Sequence, residues 1–473
     1  MGLGDIPLDN LYKQLEPITV PTEKARFTNW GLSFTCKPCA LFEPENDFQC
    51  ELILELARRE RKRIRVAGIG HSPSDLACTS EYMLRTTKLN RVLEVNTEKR
   101  YVIAQAGIVL DDLHAELIKH KLAMTNLGSI SDQTLGGVIS TATHGTGIKY
   151  GVISTSVMAL TLLLADGSRV TCTRTELSDL FTASLCGIGA TGIILSIQLE
   201  VEPAFRLKEI QKPAQFDDVV DNLETVAQAA EHVRLWWYPT TDTIMCSESN
   251  RTDEAIRPGG NWLWDTLFGY HVVQLLLYLG RYYSPIITWT GNFACWLSNA
   301  ESERVNDSHN IFNVNCRYPQ HTTEWALPLE NAPAALREFR NYLQKELQNP
   351  QGVRPHFPVE IRFSAPDNIW LSPSYSQRTC WIGIVQYKPY GTNVAYRKFF
   401  TAFEGIVERL GGRPHWAKAH LLKPEQFRTL YPHFNDFTRV LENVDPDGIF
   451  RNEYVQRHIE GKPVGSRVFK IRP

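Results

Sequence analysis

Short apolar runs rich in β-branched residues alternate with helical patterns from about residue 26 to residue 203. Such runs, bounded by turn residues, predict strands. The six predicted strands are residues 63–67, 91–96, 101–106, 157–164, 169–173 and 192–201. The dipeptide Asp166-Gly167 between two of them is a strong hairpin signal, and residues 110–121 have the pattern of a helix. The first part of the chain is therefore predicted to be an α+β domain.

The composition changes after Pro203. Ten of the eleven tryptophans lie between residues 205 and 430, where long strand patterns alternate with helical patterns such as residues 333–347. A second α+β domain is predicted here. The predicted organisation is an N-terminal arm at 1–22, a first domain at 23–204, a second domain at 205–435, and a C-terminal segment at 436–473 that could return to the first domain.

Length and charge limit the class of protein. The chain has 473 residues, of which 43% are hydrophobic, so more than one core is expected. A net charge of -2 gives no sign of the basic surface that a nucleic-acid binder needs. The one dense basic run, residues 58–63, follows an apolar-periodic stretch and is interpreted as the solvated end of an amphipathic helix. No nucleic-acid partner is therefore expected.

The ten cysteines are scattered without a repeated spacing, which is typical of reduced thiols in an intracellular protein. Cys36 and Cys39 form one C-x-x-C, but a structural zinc site needs a second pair. No metal is expected, and a redox role for this pair is a minor alternative. The N-terminus has neither the basic nor the apolar region of a secretory signal.

Residues 261–298 are rich in Trp, Tyr, Leu and Ile, but His271, Arg281 and Pro285 interrupt the apolar runs. No uninterrupted span of about 18 apolar residues remains to cross a membrane. Two interpretations stay open. The segment is either part of the core of the second domain or a stretch that lies at a membrane interface, where aromatic side chains are favoured.

The first domain contains three glycine-rich segments. The first follows a predicted strand and comprises Gly68, Ile69, Gly70, His71, Ser72, Pro73 and Ser74. Its backbone amides and two hydroxyls would suit a pyrophosphate. The spacing matches neither the G-x-G-x-x-G dinucleotide fingerprint nor a Walker loop. Taken alone, this loop could equally be a structural turn.

The second segment runs from Gly128 to Gly147 and holds seven Ser or Thr residues and five glycines. Small donors of this kind suit a narrow slot for a flat, polar-edged ring system. Its candidate cofactor-binding residues are Gly128, Ser129, Ser131, Thr134, Gly136, Gly137, Thr141, Thr143, His144 and Gly145. The third segment, residues 186–194, contributes Gly192 and Ile193 as candidates that would allow close packing against a nucleotide.

These segments carry a family resemblance. The runs GIGHSPSDLACT, LGSISDQTLGGVISTATHGTGIKYG and GIGATGIILSIQLEVEP resemble the PCMH-type FAD-binding domain of the vanillyl-alcohol-oxidase superfamily. The later runs HFPVEIRF, WLSPSY and GGRPHWAKAH resemble the aldonolactone oxidoreductases, which include D-arabinono-1,4-lactone and L-gulono-1,4-lactone oxidases. The resemblance extends from about Phe27 to Phe450 and is weakest over residues 210–320. It implies a two-domain α+β flavoprotein with a PCMH-type FAD-binding domain and a substrate (cap) domain.

The resemblance implies FAD as the cofactor. In covalent members the histidine of this G-x-G-H-S motif, here His71, bonds to the flavin 8α carbon, whereas a plant dehydrogenase subgroup has Leu and holds FAD non-covalently. His71 therefore favours a covalent flavin, with a plain neighbour of FAD as the alternative. Gly128 resembles the position that controls oxygen access, where oxidases have Gly and the plant dehydrogenase has Ala. This favours an oxidase.

Glu360 and Arg362 lie in a strand pattern, so their side chains should share one face while Ile361 enters the core. Spacing alone would also fit a structural ion pair. The resemblance implies catalytic roles: Glu360 as base or substrate anchor, and Arg362 and Lys418 as cations that hold developing negative charge. Residues 381–387 lack the His/Thr pair of alditol-oxidising relatives, which favours a ring-closed lactone.

The implied reaction is oxidation of an aldono-1,4-lactone at C2, with hydride transfer to flavin N5 and O2 as acceptor, giving H2O2 and an ascorbate-type product. Two alternatives stay open: a dehydrogenase that uses cytochrome c or a quinone, and a flavin-binding protein without turnover. The preferred lactone among D-arabinono-, L-galactono- and L-gulono-1,4-lactone is not fixed by any short motif. The expected location is intracellular, at a mitochondrial membrane or alternatively in the cytoplasm.

Overall fold

The computed structural model describes residues 3–260, 262–314, 316–465 and 468–471 and contains three main sheets within them. The strands in chain order are β1 Phe27–Thr28, β2 Thr35–Cys36, β3 Ala40–Phe42, β4 Ile64–Ala67, β5 Tyr82–Arg85, β6 Val92–Asn96, β7 Tyr101–Gln105, β8 Leu122–Ala123, β9 Val157–Leu163, β10 Arg169–Thr173, β11 Ile193–Glu200, β12 Glu202–Pro203, β13 Arg206–Gln215, β14 His232–Tyr238, β15 Thr243–Thr252, β16 Ser302–Asp307, β17 Gln320–Pro328, β18 Val359–Ser364, β19 Thr379–Tyr387 and β20 Arg413–Pro414.

The helices cover the sheets. The α-helices are α1 Leu8–Leu15, α2 Asp47–Glu60, α3 Leu110–Lys119, α4 Leu135–Ser140, α5 Ser178–Ser184, α6 Phe216–Asp221, α7 Leu223–Ala227, α8 Val273–Leu279, α9 Pro285–Ser298, α10 Ser308–Phe312, α11 Ala332–Gln348, α12 Arg397–Arg409, α13 Pro424–Leu430, α14 Phe434–Val444 and α15 Glu453–His458. A π-helix spans Leu263–Val272, and short 3-10 helices lie at Leu3–Asp5, Glu16–Ile18, Thr86–Lys88, Ile153–Ser156, Leu329–Asn331 and Pro389–Gly391.

The first lobe contains a parallel sheet in the order β3-β5-β4 and an antiparallel sheet in the order β10-β9-β11-β7-β6. The hairpin predicted at Asp166-Gly167 is confirmed, because β9 and β10 pair antiparallel on either side of it. Helix α2 begins with the Asn46 side chain accepting the Gln49 amide and ends at Arg61 in the left-handed conformation. The basic run at 58–63 therefore lies at a helix end, as predicted.

The second lobe is an eight-stranded sheet in the order β16-β13-β15-β14-β18-β19-β17-β20. Packing explains part of its tryptophan-rich composition, since Trp237 and Trp325 are buried beneath its helices. Trp381 is buried on the opposite face, where it stacks on His144. Strand β18 lies near the middle of the sheet, between β14 and β19. Side chains on β18 are therefore held on both sides by strand pairing, which fixes their direction. The predicted α+β fold with two domains is confirmed.

The C-terminal segment packs against the first lobe. The amide of Ile64, at the start of β4, donates to the carbonyl of Ile449 at 2.7 Å. The buried side chain of Asn452 caps α15 by accepting the Val455 amide and donates to the carbonyls of Leu76 and Cys78 at 3.0 and 2.9 Å. The first lobe is thus completed by residues that follow the second lobe in the sequence.

The aromatic segment predicted at 261–298 forms the π-helix, α8 and α9; Asn261 itself lies outside the described residues. One side of the segment is core, because Val273 and Leu277 are buried beside Tyr238. The other side is exposed, with Trp289 and Trp296 each 64% accessible. Among the described residues, no helix has the length and apolar character needed to span a bilayer. The core interpretation is therefore confirmed for one side of the segment, and the membrane-interface interpretation of the exposed side stays a prediction.

Asn452 provides a test of how strongly the C-terminal segment is held. Asn452→Ala removes a helix cap and leaves two buried carbonyls without their donors, so the free energy of unfolding should fall by about 2–4 kcal/mol. Urea denaturation followed by tryptophan fluorescence measures this loss. Asn435→Ala, an exposed position in α14, is the matched control and should change stability by less than about 0.5 kcal/mol. Equal behaviour of the two variants would contradict the assigned role of Asn452.

Candidate functional site

A deep cleft of about 1640 Å³, counted to its open mouth, lies between the two lobes. Residues from all three glycine-rich segments and from β18 line it together. The predicted site residues that line it are Gly68, Ile69, Gly70, His71, Ser72, Pro73, Gly128, Ser129, Thr134, Gly136, Gly137, Thr141, Thr143, His144, Gly192, Glu360, Arg362 and Lys418. Segments far apart in sequence thus form one site, as a ligand with a nucleotide end and a reactive end would require.

Four predicted residues do not line the cleft. Ser74 is buried and its hydroxyl donates to the carbonyl of Ala417 at 2.9 Å, so it joins the two lobes. The Ser131 hydroxyl donates to Asn313 at 2.8 Å. Ile193 belongs to the core of β11, and Gly145 packs against Asn126. These four residues lie behind the cleft lining. A run of small or polar residues in the sequence does not show which of its members line a cleft and which lie behind it.

His71 is held in a specific orientation at the cleft. Its ring stacks on Trp30 with centroids 5.2 Å apart and planes 22° apart. Its Nε2 atom lies 3.1 Å from Oδ2 of Asp132, while Nδ1 is buried and has no hydrogen-bond partner among the described residues. Burial lowers the pKa of His71, although the hydrogen bond and charge of Asp132 oppose this shift. A neutral imidazole with one unpaired nitrogen therefore faces the site.

A buried arginine also lines the cleft. Arg65, on β4, donates to the carbonyl of Ile188 at 2.8 Å, and its Nε atom is buried without a partner among the described residues. Burial lowers the pKa of Arg65 to about 10, which still leaves the guanidinium charged at neutral pH. The unpaired buried atoms of Arg65 and His71 indicate that the cleft is shaped for a polar ligand. An anionic group with a reactive ring, as in FAD, fits this donor set.

Glu360 and Arg362 point to the same side of β18, and Ile361 is fully buried on the other, as predicted. Arg362 Nε lies 3.4 Å from Glu360 Oε2, and the hydroxyl of Ser129 donates to Glu360 Oε1 at 3.1 Å. A second guanidinium, that of Arg234, lies 3.7 Å from Glu360 Oε1. The Glu360 carboxylate is thus flanked by two cations and remains one-quarter exposed toward the cleft.

Glu324 is a central member of the site that the sequence analysis did not identify. It is buried on β17 and accepts a hydrogen bond from Arg362 Nη2 at 2.6 Å. Its carboxylate also lies 3.2 Å from His144 Nε2 and 3.6 Å from Lys418 Nζ. Burial by itself raises the pKa of Glu324, but the charge of Arg362, with His144 and Lys418, outweighs burial and holds this pKa well below its usual range. Glu324 is therefore the common counter-charge of both predicted cations.

Two histidines complete this cluster in a neutral state. Burial, with the neighbouring charge of Arg362, lowers the pKa of His144 to about 4. Burial likewise holds the pKa of His415 well below its usual range. Ligand atoms of His144, Glu324 and His415 lie within 4.8 Å of one another, a spacing that could hold a metal ion. Because Arg362 and Lys418 already neutralise Glu324, a metal ion placed there would meet two positive charges.

Several cleft residues were not predicted as site residues, although His415 lies in the run GGRPHWAKAH and Gly383 and Val385 lie in the strand pattern at 381–387. These are Trp30, Arg65, Cys316, Gln320, Thr322, Glu324, Gly383, Val385 and His415. A usable signal existed for three of them, since Gln320, Thr322 and Glu324 occupy alternate positions of one strand and therefore share a face. Polar residues at alternate positions of a buried strand indicate a site.

The comparisons with known proteins agree with this geometry. Residues 197–458 match the family model of D-arabinono-1,4-lactone oxidase, and residues 38–173 match that of an FAD binding domain. L-gulonolactone oxidase of Bos taurus is 40% identical over 433 residues, covering 91% of this chain and 98% of that protein. L-gulono-1,4-lactone dehydrogenase of Mycobacterium tuberculosis is 28% identical over 434 residues, covering 91% and 98%.

A solved structure supports the same fold. Solvent-stable cholesterol oxidase superposes with a TM-score of 0.76 at 20% sequence identity, covering 92% of this chain and 98% of that one. At this identity the likeness concerns the fold alone. The family assignment rests on the sequence matches over most of the chain, and the predicted family is confirmed: the chain belongs to the D-arabinono-1,4-lactone oxidase family.

Proposed function

We propose that the protein is an FAD-dependent oxidase of an aldono-1,4-lactone, which it oxidises at C2 to an ascorbate-type product while O2 is reduced to H2O2. The observation that carries the proposal is the position of Arg362. Its guanidinium donates to the carbonyl of His144 and the hydroxyl of Ser129, both 3.2 Å away, on the second glycine-rich segment. Groups suited to a polar substrate are thereby placed directly against the segment suited to the cofactor.

FAD would be held by the three glycine-rich segments, with Arg65 available for an anionic group and His71 at the ring. When bound, FAD supplies the acceptor for the hydride that leaves C2 of the lactone. Side chains of the cleft act on the hydroxyl and the other oxygens of the lactone. Glu360 accepts the hydrogen bond of the 2-hydroxyl and takes its proton, while Arg362 and Lys418 stabilise negative charge on the oxygens.

Glu324 acts through the two cations. Arg362 and Lys418 would repel each other without a shared counter-ion, and a buried charge left unpaired costs several kcal/mol. With Glu324 between them, both cations stay charged and keep their direction toward the cleft. A protein that merely stores flavin would not need three charged groups held at this cost in the cleft, so the non-catalytic alternative is disfavoured.

We also propose that FAD is bonded to His71. The support is the buried, unpaired Nδ1 atom and the fixed ring plane on Trp30. A lone pair on an imidazole held in one plane is suited to bond formation with a neighbouring carbon.

A ring-closed lactone fits better than an open-chain polyol. Strand β19 presents Gly383 and Val385 to the cleft, which offer no side-chain hydrogen bonds to a chain of hydroxyls. His321, on the neighbouring strand, lies away from the cleft lining and pairs with Asn393 at 2.9 Å. Strand β19 thus offers a compact ring an apolar surface, while the polar groups beside it come from Gln320, Thr322 and Glu324 on β17.

The main test combines a substrate panel with a charge deletion. D-arabinono-, L-galactono- and L-gulono-1,4-lactone should each be assayed for H2O2 at air saturation, with sorbitol as the open-chain comparison. At least one lactone should give peroxide, and Glu360→Gln should lower kcat about 100-fold or more because the proton acceptor loses its charge. Glu303→Gln, at an exposed ion pair of β16, is the matched control and should keep full activity. Unchanged turnover in Glu360→Gln would refute the assigned role.

The choice of electron acceptor depends on Gly128. A Cβ atom added there would lie 3.2 Å from Cγ2 of Thr143 and 3.5 Å from the carbonyl of His144, so a methyl group would narrow the cleft. Gly128→Ala should therefore slow reoxidation of the reduced flavin by O2 about tenfold or more, an activation cost of roughly 1.4 kcal/mol. Flavin reduction by the lactone, measured anaerobically in the same stopped-flow series, should change little and serves as the internal control. Slow reoxidation already in the unmodified protein would favour the dehydrogenase alternative.

We further propose that α9 and the segment before it rest on a membrane surface. The exposed aromatic side chains of this segment are Trp262, Trp264, Tyr282, Tyr283, Trp289 and Trp296. Trp and Tyr combine an apolar ring with a polar group, and they are favoured at the headgroup level of a bilayer. Some of these rings contact one another, as Trp264 and Trp296 do with centroids 6.2 Å apart, and clustered exposed aromatic residues indicate a contact surface.

Sedimentation with phosphatidylcholine vesicles tests this surface. The double variant Trp289→Ser/Trp296→Ser should weaken the partition of the protein onto vesicles about tenfold or more, since each buried ring contributes roughly 1.5–3 kcal/mol. Lactone oxidation in solution should be unchanged, because both residues lie outside the cleft. Phe48→Ser, an exposed aromatic position of the first lobe, is the control and should bind as the unmodified protein does. Full binding by the double variant would rule out this surface.

A further inference from the structure

We propose that Asp132 is the positioning residue for attachment of the flavin to His71: it fixes the reactive tautomer of the ring and provides the route by which the proton leaves. The inference rests on the proposed covalent link. It concerns a different event from lactone oxidation, because attachment happens once in the life of each molecule.

The hydrogen bond between His71 and Asp132 determines which nitrogen can react. An ionised carboxylate only accepts hydrogen bonds, so Asp132 Oδ2, 3.1 Å from Nε2, selects the tautomer with the proton on Nε2. The lone pair then lies on Nδ1, the buried atom without a partner. Stacking on Trp30 fixes the plane of the ring, and the hydrogen bond to Asp132 favours one of the two orientations within that plane. The nucleophilic atom is therefore the nitrogen that Asp132 leaves unpaired.

The position of Asp132 is itself fixed by its neighbours in the chain. The carbonyl of Ser131 accepts the amide of Asp111 at 3.3 Å, and the carbonyl of Gln133 accepts the amide of Leu110 at 2.9 Å. Both residues flanking Asp132 are thus bonded to the start of α3. The carboxylate is presented to His71 by a loop anchored on each side.

Electrostatics explain why a carboxylate is needed here. Bond formation at Nδ1 places a positive charge on the imidazole, and burial together with the nearby Lys418 disfavours that charge. Asp132 is the group that opposes both effects. Its side chain is 62% exposed, whereas that of His71 is only 8% exposed. The proton on Nε2 can therefore pass to Asp132 and from there to water, although the ring itself has little contact with solvent.

The reaction balances with O2 as the oxidant. The Nδ1–C8α bond forms, one C–H bond of the flavin 8α methyl group breaks, and the N–H proton of His71 is released. The two electrons of the broken C–H bond first reduce the flavin ring and then pass to O2. The carbon-bound and nitrogen-bound hydrogens leave as protons, and with O2 and the two electrons they give one H2O2 for each flavin attached.

The experiment measures attachment directly. Unmodified protein, Asp132→Asn, Asp132→Glu, Asp111→Asn and His71→Ala are incubated with excess FAD in air, and samples are denatured in acid at successive times. Flavin fluorescence of the protein band gives covalent flavin, and the flavin in the supernatant of washed protein gives the non-covalent share. Asp132→Asn should slow attachment about tenfold or more, since a neutral amide no longer stabilises the charged imidazole.

The controls separate position from charge. Asp132→Glu keeps the carboxylate and should recover much of the rate. Asp111→Asn removes a neighbouring carboxylate that does not bond to His71, and attachment should stay within about twofold of the unmodified protein. His71→Ala should contain only non-covalent FAD. Each flavin attached to the unmodified protein should be accompanied by one H2O2.

Four outcomes would overturn the inference. Attachment at the unmodified rate in Asp132→Asn would show that His71 does not need the Asp132 carboxylate to react. Equal slowing of attachment in Asp111→Asn would show that any nearby negative charge has the same effect. Loss of all FAD from Asp132→Asn would make Asp132 a binding residue instead. If the unmodified protein carries only non-covalent FAD, the proposed link fails and the inference with it, while peroxide formation from lactone is measured separately and is unaffected.

Discussion

The site depends on the junction between the second glycine-rich segment and strand β18. The amide of Gly147 donates to the carbonyl of Phe363 at 2.9 Å, so the segment is bonded to the backbone of the strand beside Arg362. Gly147 has a φ of +129°, and a Cβ atom there would lie 2.7 Å from the carbonyl of Glu231. Only glycine permits this approach. Cofactor loops and substrate groups therefore share one rigid frame, although they belong to different lobes.

Charge within this frame is arranged in two layers. Glu324 lies in the deeper layer and neutralises Arg362 and Lys418, while Glu360 lies nearer the cleft between Arg362 and Arg234. Burying ionised groups is costly unless each has a counter-ion in good geometry. Because the deep carboxylate satisfies the cations, the shallow one keeps an exposed edge for a ligand. Burial and the neighbouring charge of Arg362 lower the pKa of His144, so this histidine stays neutral next to the guanidinium.

Local sequence signals predicted the fold well and the site in part. Strand β10 was predicted with its observed bounds, Arg169–Thr173, because β-branched residues beside an Asp-Gly turn are a short-range signal. The glycine-rich segments and the pair on β18 were found because each is contiguous. Glu324 and Trp30 were missed, since their importance arises from strand pairing and from packing across the lobes. Ser74 and Ser131 fit the local pattern but support the cleft from behind it.

The return of the C-terminal segment to the first lobe also constrains how the molecule is made. The amide of Ile64 on strand β4 donates to the carbonyl of Ile449, and the Asn452 side chain donates to carbonyls of the loop that carries His71. Asp75 of that loop pairs with Arg457 at 2.8 Å. These partners lie more than 370 residues later in the chain. During synthesis the first lobe must therefore stay incomplete until these residues have left the ribosome. A protein that gains its cofactor only in the finished cleft cannot acquire it before that point.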